Sequence, residues 1–394
     1  MRLSPTHVGL LLAGTLSMNA IAQEGSTDSG SAAEYEVIEA PALTSNKIKE
    51  SILIEVARAG ESLVAVGAHG NIIVSDSQDI NTWQQASVPT SVLLTSVDFS
   101  DAQHGWATGH HGVIIKSTDG GDSWQRVLDG FKLLELEADF YQQQITKLEA
   151  AIEQADDAEV GDLEWDLDTA KFQLENVQQA QQESGPSKPF LDIVALSNDI
   201  AIAIGAYGTL VKTTDGGANW DLLNDKLDNP NGFHLNAISQ NGVQLFIAGE
   251  AGTAYSSDDN GETWQAVPPP YPGSFFGAHF DNQGRLWTYG LRGNIFYSDD
   301  LGASYTQVES EANANLSAGY TDAEGNQWLV GNSGTLVKID AELTAKEYSH
   351  PSNAVITDII QVGDEKVLTG RSGLLYWPAR ISKEEAVLTA QGAQ

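Results

Sequence analysis

The stretch TGHHGVIIKSTDGGDSW, Thr108 to Trp124, joins a Gly-x-x-Gly turn to an acidic turn that ends in a tryptophan. The acidic turn recurs as TTDGGANW (213–220), SDDNGETW (257–264) and SDDLGASY (298–305), with a looser copy, SDSQDINTW, at 75–83. A catalytic group of residues normally occurs once in a chain, whereas a structural device returns with every supersecondary unit. The recurrence therefore indicates a repeat protein.

The Gly-x-x-Gly turn gives the period of the repeat. Its seven copies are VGAHGNI, TGHHGVI, IGAYGTL, AGEAGTA, YGLRGNI, VGNSGTL and TGRSGLL. Their first glycines, at 67, 109, 205, 249, 290, 331 and 370, are 42, 96, 44, 41, 41 and 39 residues apart. A period of about 41 residues is typical of propeller blades, and the gap of 96 then contains an insertion of about 55 residues.

Each unit contains the same series of short runs. Runs of β-branched and aromatic residues such as LLTSVDFS, GWATG and VIIKS alternate with Gly and Asp turns, which is typical of strands. The Gly-x-x-Gly turn joins the second strand to the third, because glycine permits the positive φ of a tight hairpin. Four strands in each of seven units predict an all-β protein, a seven-bladed β-propeller in which radial repetition leaves only short edges.

The acidic turns predict a structural role for their Asp and their aromatic residue. Such an Asp can accept hydrogen bonds from its own turn, and the aromatic side chain that follows it can pack between strands. In the four best copies these residues are Asp119 and Trp124, Asp215 and Trp220, Asp259 and Trp264, and Asp300 and Tyr305. We expect them on an outer hairpin, away from any shared pocket.

The acidic turns resemble the Asp-box, or BNR, repeat of sialidase-like propellers, Ser-x-Asp-x-Gly-x-Thr-Trp. Together with the Gly-x-x-Gly turns and strands of the GWATG type, they make residues 50–380, apart from the insertion, similar to the Ycf48/HCF136 group. That group includes a photosystem II assembly factor and relatives in non-photosynthetic bacteria. The resemblance implies a non-catalytic propeller that binds proteins and assists the assembly or operation of a membrane complex, with an export transporter as one candidate client.

The arginine pattern excludes sialidase activity. Arginines after the leader stand at 58, 126, 285, 292, 371 and 380, and none lies in the Phe/Tyr-Arg-Ile-Pro motif of sialidases. Other Asp-box propellers hydrolyse glycans with two carboxylates that face each other across a cleft. A carbohydrate-binding or glycoside-hydrolase-like propeller is therefore the alternative, although no motif marks such a pair. The proline-rich stretch PPPYPGSFF (268–276) is interpreted as a stiff polyproline spacer, with a peptide or glycan platform formed by Tyr271 and Phe275 as the alternative.

The Gly-x-x-Gly turns are expected on the same face as the connections between blades, where propellers commonly bind their partners. The positions between the glycines predict a partner-binding face that contains His69, His110, His111, Tyr207, Glu250, Arg292 and Arg371. Arg292 and Arg371 are suited to a carboxylate on a partner. The histidines have no accompanying Cys, HExxH or Asp-x-Asp array, so neither a metal site nor a cofactor is predicted.

The insertion, residues 131–189, is rich in Glu, Gln, Leu and Ala, which are good helix formers. Apolar residues follow a 3,4 spacing at 138, 141, 145, 148, 152 and 155, and again at 163, 167, 170, 174 and 177. This pattern predicts an antiparallel coiled-coil hairpin that turns near Asp156 to Asp162, with arms about 35 Å long. We interpret it as a docking arm with Trp165 and Phe172, which lie off the seam, as contact residues. A loop expansion that folds back on the propeller is the alternative.

The N-terminus predicts export. Arg2, an apolar run and the small-x-small site Ala20-Ile21-Ala22 are typical of a signal peptide cleaved after Ala22. The chain has no cysteine, so no lipid anchor at that site and no disulfide are expected. No later stretch has the ~20 apolar residues of a spanning helix, so no direct membrane insertion is expected. The expected location is the periplasm, with secretion or the cell surface as alternatives.

A net charge of −34 argues against nucleic acid as a partner, because phosphates are bound by Lys and Arg. The expected partner is a protein, in an inner-membrane complex, and a glycan is the alternative ligand. The predicted segments are a signal peptide (1–22), a flexible segment (23–45), blades 1 and 2 (46–130), the hairpin insertion (131–189), blades 3 to 7 (190–381) and a tail (382–394).

Overall fold

The computed structural model of the protein describes residues 36–76, 79–156 and 158–378. The predicted signal peptide and the predicted tail lie outside the described residues. Within them the chain is mostly β, with one helical insertion between the eighth and ninth strands. This agrees with the predicted class.

The described strands form seven antiparallel sheets in chain order. Sheet 1 comprises β1 (Leu53–Ala59), β2 (Ser62–Gly67), β3 (Ile72–Ser75) and β4 (Trp83–Gln85). Sheet 2 comprises β5 (Leu94–Phe99), β6 (Gly105–Gly109), β7 (Ile114–Ser117) and β8 (Gln125–Leu128). Sheet 3 comprises β9 (Phe190–Ala195), β10 (Ala201–Gly205), β11 (Leu210–Thr213) and β12 (Asp221–Leu222).

The remaining sheets repeat this arrangement. Sheet 4 comprises β13 (Leu235–Asn241), β14 (Gln244–Gly249), β15 (Ala254–Ser257) and β16 (Gln265–Ala266). Sheet 5 comprises β17 (Phe275–Phe280), β18 (Leu286–Gly290), β19 (Ile295–Ser298) and β20 (Thr306–Gln307). Sheet 6 comprises β21 (Leu316–Thr321), β22 (Gln327–Gly331), β23 (Thr335–Ile339) and β24 (Ala345–Ser349). Sheet 7 comprises β25 (Ile356–Val362), β26 (Glu365–Gly370) and β27 (Leu375–Trp377).

Sheet 7 differs from the prediction of four strands in every unit. Its third strand ends at Trp377, one residue before the last described residue, and the part of the chain that the structure describes supplies no fourth strand to it. The other six sheets have the predicted four strands.

The hydrophobic core lies between neighbouring sheets. The second strand of each sheet is almost wholly buried, and its apolar side chains pack with those of the adjacent sheets. Trp106 on β6, for example, is fully buried and meets Trp220, after β11, edge to face at 5.9 Å. A further cluster joins sheet 7 to sheet 1 and contains Val367, Leu63 and Ile73.

Of the segment 23–45 that was predicted to be flexible, residues 23–35 lie outside the described residues, and residues 36–45 pack against the sheets. Ile38, in the single helical turn Glu36–Glu39, is fully buried in the cluster between sheets 1 and 2. The carbonyl of Val37 accepts a hydrogen bond from Ser91 N–H at 2.8 Å, and Arg126 donates one to the carbonyl of Ile38. The segment packs here because the side chain of Ile38 fills a site that only the assembled sheets create.

The insertion forms two helices, α1 (Gly130–Ile152) and α2 (Val160–Gln179). All eleven seam positions predicted from the 3,4 spacing are buried or half-buried. Lys171 pairs with Glu149 at 3.5 Å, and Gln181 donates to the carbonyl of Leu134 at 3.3 Å, so the helices run antiparallel. The turn between them is 153–159, slightly earlier than the predicted 156–162.

Candidate binding face and central channel

The Gly-x-x-Gly turns share one backbone conformation. In six of them the residue before the second glycine has a positive φ, between 52° and 60°, and the second glycine has a positive φ as well. Two consecutive left-handed residues make the tight turn that suits the twist of a hairpin. The six residues are His69, His111, Tyr207, Ala251, Arg292 and Ser333. The last copy departs from the pattern, because only its Gly373 has a positive φ.

Each of these turns packs against the connection that leads to a neighbouring sheet. Gly70 N–H donates to the carbonyl of Val92 at 2.7 Å, just before β5 begins. A Cβ on Gly252 would lie 2.9 Å from both Pro269 Cβ and the Tyr271 carbonyl, in the connection between sheets 4 and 5. The turns and connections therefore lie on one side of the molecule. We call this side the turn face.

The predicted partner-binding residues differ in exposure. His69, Tyr207, Arg292 and Arg371 are exposed on the turn face, and Tyr207 retains 61% of its accessible surface. Glu250 is half-buried and accepts a hydrogen bond from His234 N–H at 3.3 Å. The ring of His234 also meets Tyr207 edge to face at 5.1 Å.

His110 and His111 lie where the hairpin joins the turn face. His111 Nδ1 donates to the carbonyl of Pro186 at 2.9 Å, at the end of the insertion. Burial, and then the neighbouring His111, lower the pKa of His110. Among the described residues, no group of three or more His, Asp or Glu side chains is arranged to hold a metal ion.

The base of the hairpin is part of the core. Leu133 packs in the cluster between sheets 2 and 3 with Ile114 and Phe190, and Leu136 and Phe140 lie against the same cluster. Glu137, 1% exposed, pairs with Lys188 at 2.5 Å across the base. Gln144, two turns after Glu137 along α1, donates a hydrogen bond to Asp225 beside sheet 3 at 3.2 Å. The first half of α1 is therefore fixed to the propeller.

The far part of the hairpin presents aromatic side chains to solvent. Trp165 and Phe172 on α2 retain 74% and 61% of their accessible surface. The buried side chains of α2, Ala170 and Val177, lie on the opposite side of the helix. The two sequence-predicted docking residues are thus on one exposed stripe of α2.

In each of the four acidic turns the Asp carboxylate accepts hydrogen bonds from backbone and side-chain groups of the same turn. Asp259 accepts hydrogen bonds from Thr263 Oγ1 (2.6 Å), Thr263 N–H (2.9 Å) and Ser257 Oγ (2.8 Å). These bonds lower its pKa to about 2. Asp119, Asp215 and Asp300 accept bonds from the corresponding positions of their turns. An Asp-box carboxylate is therefore already occupied by the turn that it closes.

The sequence analysis missed a set of acidic residues in the first strands. In every sheet the first residue of the first strand pairs with the first glycine of the Gly-x-x-Gly turn, and a bulge follows. A bulge can re-aim a side chain. The third residue of these strands is acidic in three sheets and polar or small in the other four: Glu55, Ser96, Asp192, Ala237, Gly277, Ala318 and Asp358.

The three carboxylates of this layer link neighbouring sheets. Val97 N–H donates to Glu55 Oε2 at 2.8 Å, Ile238 N–H to Asp192 Oδ2 at 2.7 Å, and Val56 N–H to Asp358 Oδ2 at 2.9 Å. Asp98, two positions after Ser96 on β5, accepts a hydrogen bond from Ala195 N–H at 2.8 Å. Each of these bonds joins an acidic side chain of one sheet to the first strand of the next.

The surroundings of these carboxylates disfavour ionisation. Their side chains are half-buried and surrounded by protein. Desolvation therefore raises the pKa of Asp98 and of Asp192 to about 6 and the pKa of Asp358 to about 7. Burial also raises the pKa of Glu55 well above its usual range, and the charges of Asp192 and Asp358 add to the effect. The three carboxylates occupy the same position in the first strands of their sheets, and their charges act on one another. We call the space along these first strands the central channel.

Tyr271 and Phe275 do not form a surface platform. Phe275 is fully buried at the start of β17. Tyr271 stacks on Phe296 at 5.3 Å and donates its hydroxyl to the carbonyl of Ser274 at 2.7 Å. The alternative interpretation as a stacking platform was wrong, because both rings belong to the core between sheets 4 and 5.

Solved structures of similar shape define the class. The chain superposes on the WD40 β-propeller domain of Doa1 with a TM-score of 0.54, covering 86% of this chain and 94% of that one at 10% identity. It superposes on a structure of YCF48 bound to a D1 peptide with a TM-score of 0.57, covering 86% and 96% at 18% identity. The protein is a β-propeller with a helical insertion.

Sequence comparisons point to similar proteins. The family model described as photosynthesis system II assembly factor YCF48 matches residues 75–148 and 173–273. The photosystem II assembly protein Ycf48 of Synechococcus sp. (strain JA-2-3B'a(2-13)) is 27% identical over 209 residues, which are 52% of this chain and 59% of the relative. The chain thus spans less than two thirds of the length of such a relative. In sequence and fold the chain is similar to the Ycf48/HCF136-like BNR/Asp-box propellers.

Two features bear on the relation to membranes. None of the described helices has the length and apolar composition needed to cross a bilayer. Relatives of similar sequence include proteins named photosystem II assembly lipoprotein Ycf48, such as that of Trichormus variabilis. The relatives are named as assembly proteins.

Proposed function

We propose that this chain is a closed, seven-bladed, non-catalytic propeller that acts in the periplasm and binds a protein of an inner-membrane complex during its assembly or operation. An export transporter is one candidate client. The observation that carries the proposal is the hairpin: its base is built into the propeller core and its far end exposes two large aromatic side chains.

Contacts between the first and last sheets support the closed ring. Besides the hydrophobic cluster that contains Val367 and Leu63, the hydroxyls of Thr357 and Thr369 donate to the carbonyls of Leu53 (3.0 Å) and Ile54 (3.1 Å). Asp358 adds its bond to Val56 N–H. Such contacts hold the two ends of the chain together.

The exposed residues of the turn face support protein binding. Tyr207, Arg292 and Arg371 combine an amphipathic ring with two planar cations, residue types that are common in protein interfaces. The similar propeller YCF48 has been solved bound to a D1 peptide, so a propeller of this type can hold a peptide of another protein. We extend that property of the relative to this chain, with the turn face and the hairpin as the two contact regions.

The carbohydrate-active alternative receives less support. It requires two carboxylates in the central cleft, and Glu55, Asp192 and Asp358 do lie along the central channel. Their oxygens, however, accept backbone hydrogen bonds from the next sheet, and the channel aromatic Tyr289 is 1% exposed. A glycosidase needs carboxylates and rings that are open to a sugar.

We expect the tagged chain to capture one membrane complex from gently solubilised membranes of the organism that encodes it. A variant in which a short Gly-Ser linker replaces residues 146–172 should lose at least ten-fold of that yield. This trim keeps Leu133, Glu137 and Phe140, which pack on the propeller, so the sheets should fold as before. The measurement is quantitative mass spectrometry of the captured proteins.

The control is a variant with Val243→Ala, because Val243 is exposed on the hairpin between β13 and β14, away from the turn face. It should recover the complex at the wild-type yield. Recovery of no membrane complex by the wild-type chain, or equal recovery by the trimmed chain, would contradict the proposed docking function.

A further inference from the structure

The far part of the hairpin combines exposed aromatic surface with concentrated negative charge. Residues 153–168 contain eight acidic residues and no Lys or Arg. Trp165 lies within this run. Phe172 lies two helical turns beyond Trp165, about 10 Å away along the helix axis at 1.5 Å per residue. The two matched segments of the family model end at 148 and resume at 173, on either side of this region.

The aromatic residues have acidic neighbours on their own side of α2. At 100° per residue, Trp165 and Phe172 fall within about 20° of each other, and Asp162, Asp168 and Glu175 flank them. Lys171, the one basic residue of α2, is directed to Glu149 of α1 at 3.5 Å. The exposed stripe is therefore apolar along its centre and negative at both edges.

We propose that this stripe binds a basic amphipathic segment of a partner protein. The apolar side of such a segment would cover Trp165 and Phe172, and its Lys or Arg side chains would meet Asp162, Asp168 and Glu175. Covering an aromatic side chain removes roughly 150 to 250 Å² from water, and an Arg or Lys stacked on Trp165 adds a cation–π contact. The inference rests on the proposed docking function and specifies the chemistry of the segment that docks.

Charge also selects between occupants of the stripe. A second copy of the chain would bring two acidic hairpin ends together, and like charges in contact are unfavourable. The headgroups of anionic lipids would be repelled by the same run of acidic residues. A basic protein segment satisfies both the apolar centre and the negative edges.

The test uses synthetic peptides and isothermal titration with the full chain. The probe is a 14-residue Leu/Lys peptide with amphipathic helical spacing, and the comparison peptides are a scrambled Leu/Lys peptide of the same composition and an amphipathic Leu/Glu peptide. We expect micromolar binding of the probe, at least ten-fold weaker binding of the scrambled peptide, and no binding of the Leu/Glu peptide. Binding should weaken as salt is raised, because exposed charges are screened.

The decisive variant is Trp165→Ala/Phe172→Ala, which leaves the net charge unchanged. It should weaken binding of the probe at least ten-fold, while the control Tyr207→Ala, an exposed aromatic on the turn face, should bind as the wild type does. Equal binding by Trp165→Ala/Phe172→Ala would show only general attraction to an acidic chain and would overturn the inference. So would aromatic-dependent sedimentation with phosphatidylcholine vesicles, or aromatic-dependent dimerisation of the chain.

The peptide test and the membrane capture fail separately. Specific peptide binding without a captured complex would support the inference about the stripe and contradict the proposed membrane-complex partner. A captured complex that depends on residues 146–172 but not on Trp165 and Phe172 would support the docking function and overturn the inference about the stripe.

Discussion

Lowering the pH from 8 to 5.5 is expected to stabilise the chain against unfolding. Burial raises the pKa of Asp98 and Asp192 to about 6 and that of Asp358 to about 7, and it raises the pKa of Glu55 well above its usual range. In the unfolded chain these groups titrate near 4, at about 3.9 for Asp and 4.3 for Glu. The folded chain therefore binds protons that the unfolded chain does not, and stability rises as the pH falls through 7 and 6.

The carboxylates together should contribute on the order of 2 to 4 kcal/mol over this window. Three histidines oppose them, because burial lowers the pKa of His279 to about 4 and also lowers the pKa of His110 and His350, so the unfolded chain takes up those protons first. His279 should subtract about 1 kcal/mol at pH 5.5. The net effect remains stabilising. Below about pH 4 the trend should reverse, because the unfolded chain then takes up a proton at Asp259 that the folded chain, with the pKa of this group lowered to about 2, does not yet bind.

The double variant Glu55→Gln/Asp358→Asn tests whether the carboxylates of the central channel cause this pH dependence of stability. Each amide keeps an oxygen for the N–H of Val97 or Val56 but removes the charge. We expect this variant to be more stable than the wild type at pH 8 and to gain less on acidification, as measured by urea unfolding at each pH. The control Glu164→Gln/Asp166→Asn removes two charges from exposed positions on α2 and should keep the wild-type pH dependence. A wild-type chain that loses stability steadily from pH 8 to 5.5 would contradict this description of the channel.

Lys188→Met should destabilise the chain by about 2 to 4 kcal/mol, because breaking a buried ion pair leaves a charge without its partner. Glu137 is 1% exposed, and its Oε2 has no hydrogen-bond partner among the described residues, so its ionic contact is to Lys188. The pair lies at the base of the hairpin. The loss should appear in urea unfolding and as faster amide hydrogen exchange in residues 133–141 of α1.

Replacing both members of the pair tests the cause. Glu137→Met/Lys188→Met should recover most of the lost stability, because an apolar pair of similar volume leaves no buried charge. The exposed pair Lys171–Glu149 provides the matched control, and Lys171→Met should cost less than about 0.5 kcal/mol. Equally small effects of Lys188→Met and Lys171→Met on the free energy of unfolding would contradict the claim that buried Glu137 depends on Lys188 as its ionic partner.

The sequence predicted those features that repeat along the chain. The spacing of the Gly-x-x-Gly turns located the hairpins between the second and third strands in all seven sheets, and the 3,4 spacing in the insertion located the seam that Ile145, Ala170 and Val177 bury. Both signals are local, since a turn or a helix face is specified by residues within one repeat or one heptad.

The features that the sequence analysis missed depend on residues distant in sequence. Glu55, Asp192 and Asp358 are spread over about 300 positions, and only the radial arrangement of the sheets brings them into one channel. A visible signal existed, because each interrupts an apolar strand at its third position, but one acidic residue in a strand normally indicates a solvated face. Ile38 was missed because its burial site is formed by sheets 1 and 2 together.

Photo-crosslinking in living cells from three positions of the chain tests directly whether the hairpin and the turn face bind a partner in a membrane complex. A photoreactive phenylalanine analogue would replace Trp165 on the hairpin, Arg292 on the turn face, or Asp258, an exposed residue of an acidic turn. We expect positions 165 and 292 to crosslink to subunits of one membrane complex and position 258 not to crosslink to them. Crosslinks from 165 and 292 that are absent, or no more specific than those from 258, would contradict the claim that the hairpin and the turn face bind a membrane-complex partner.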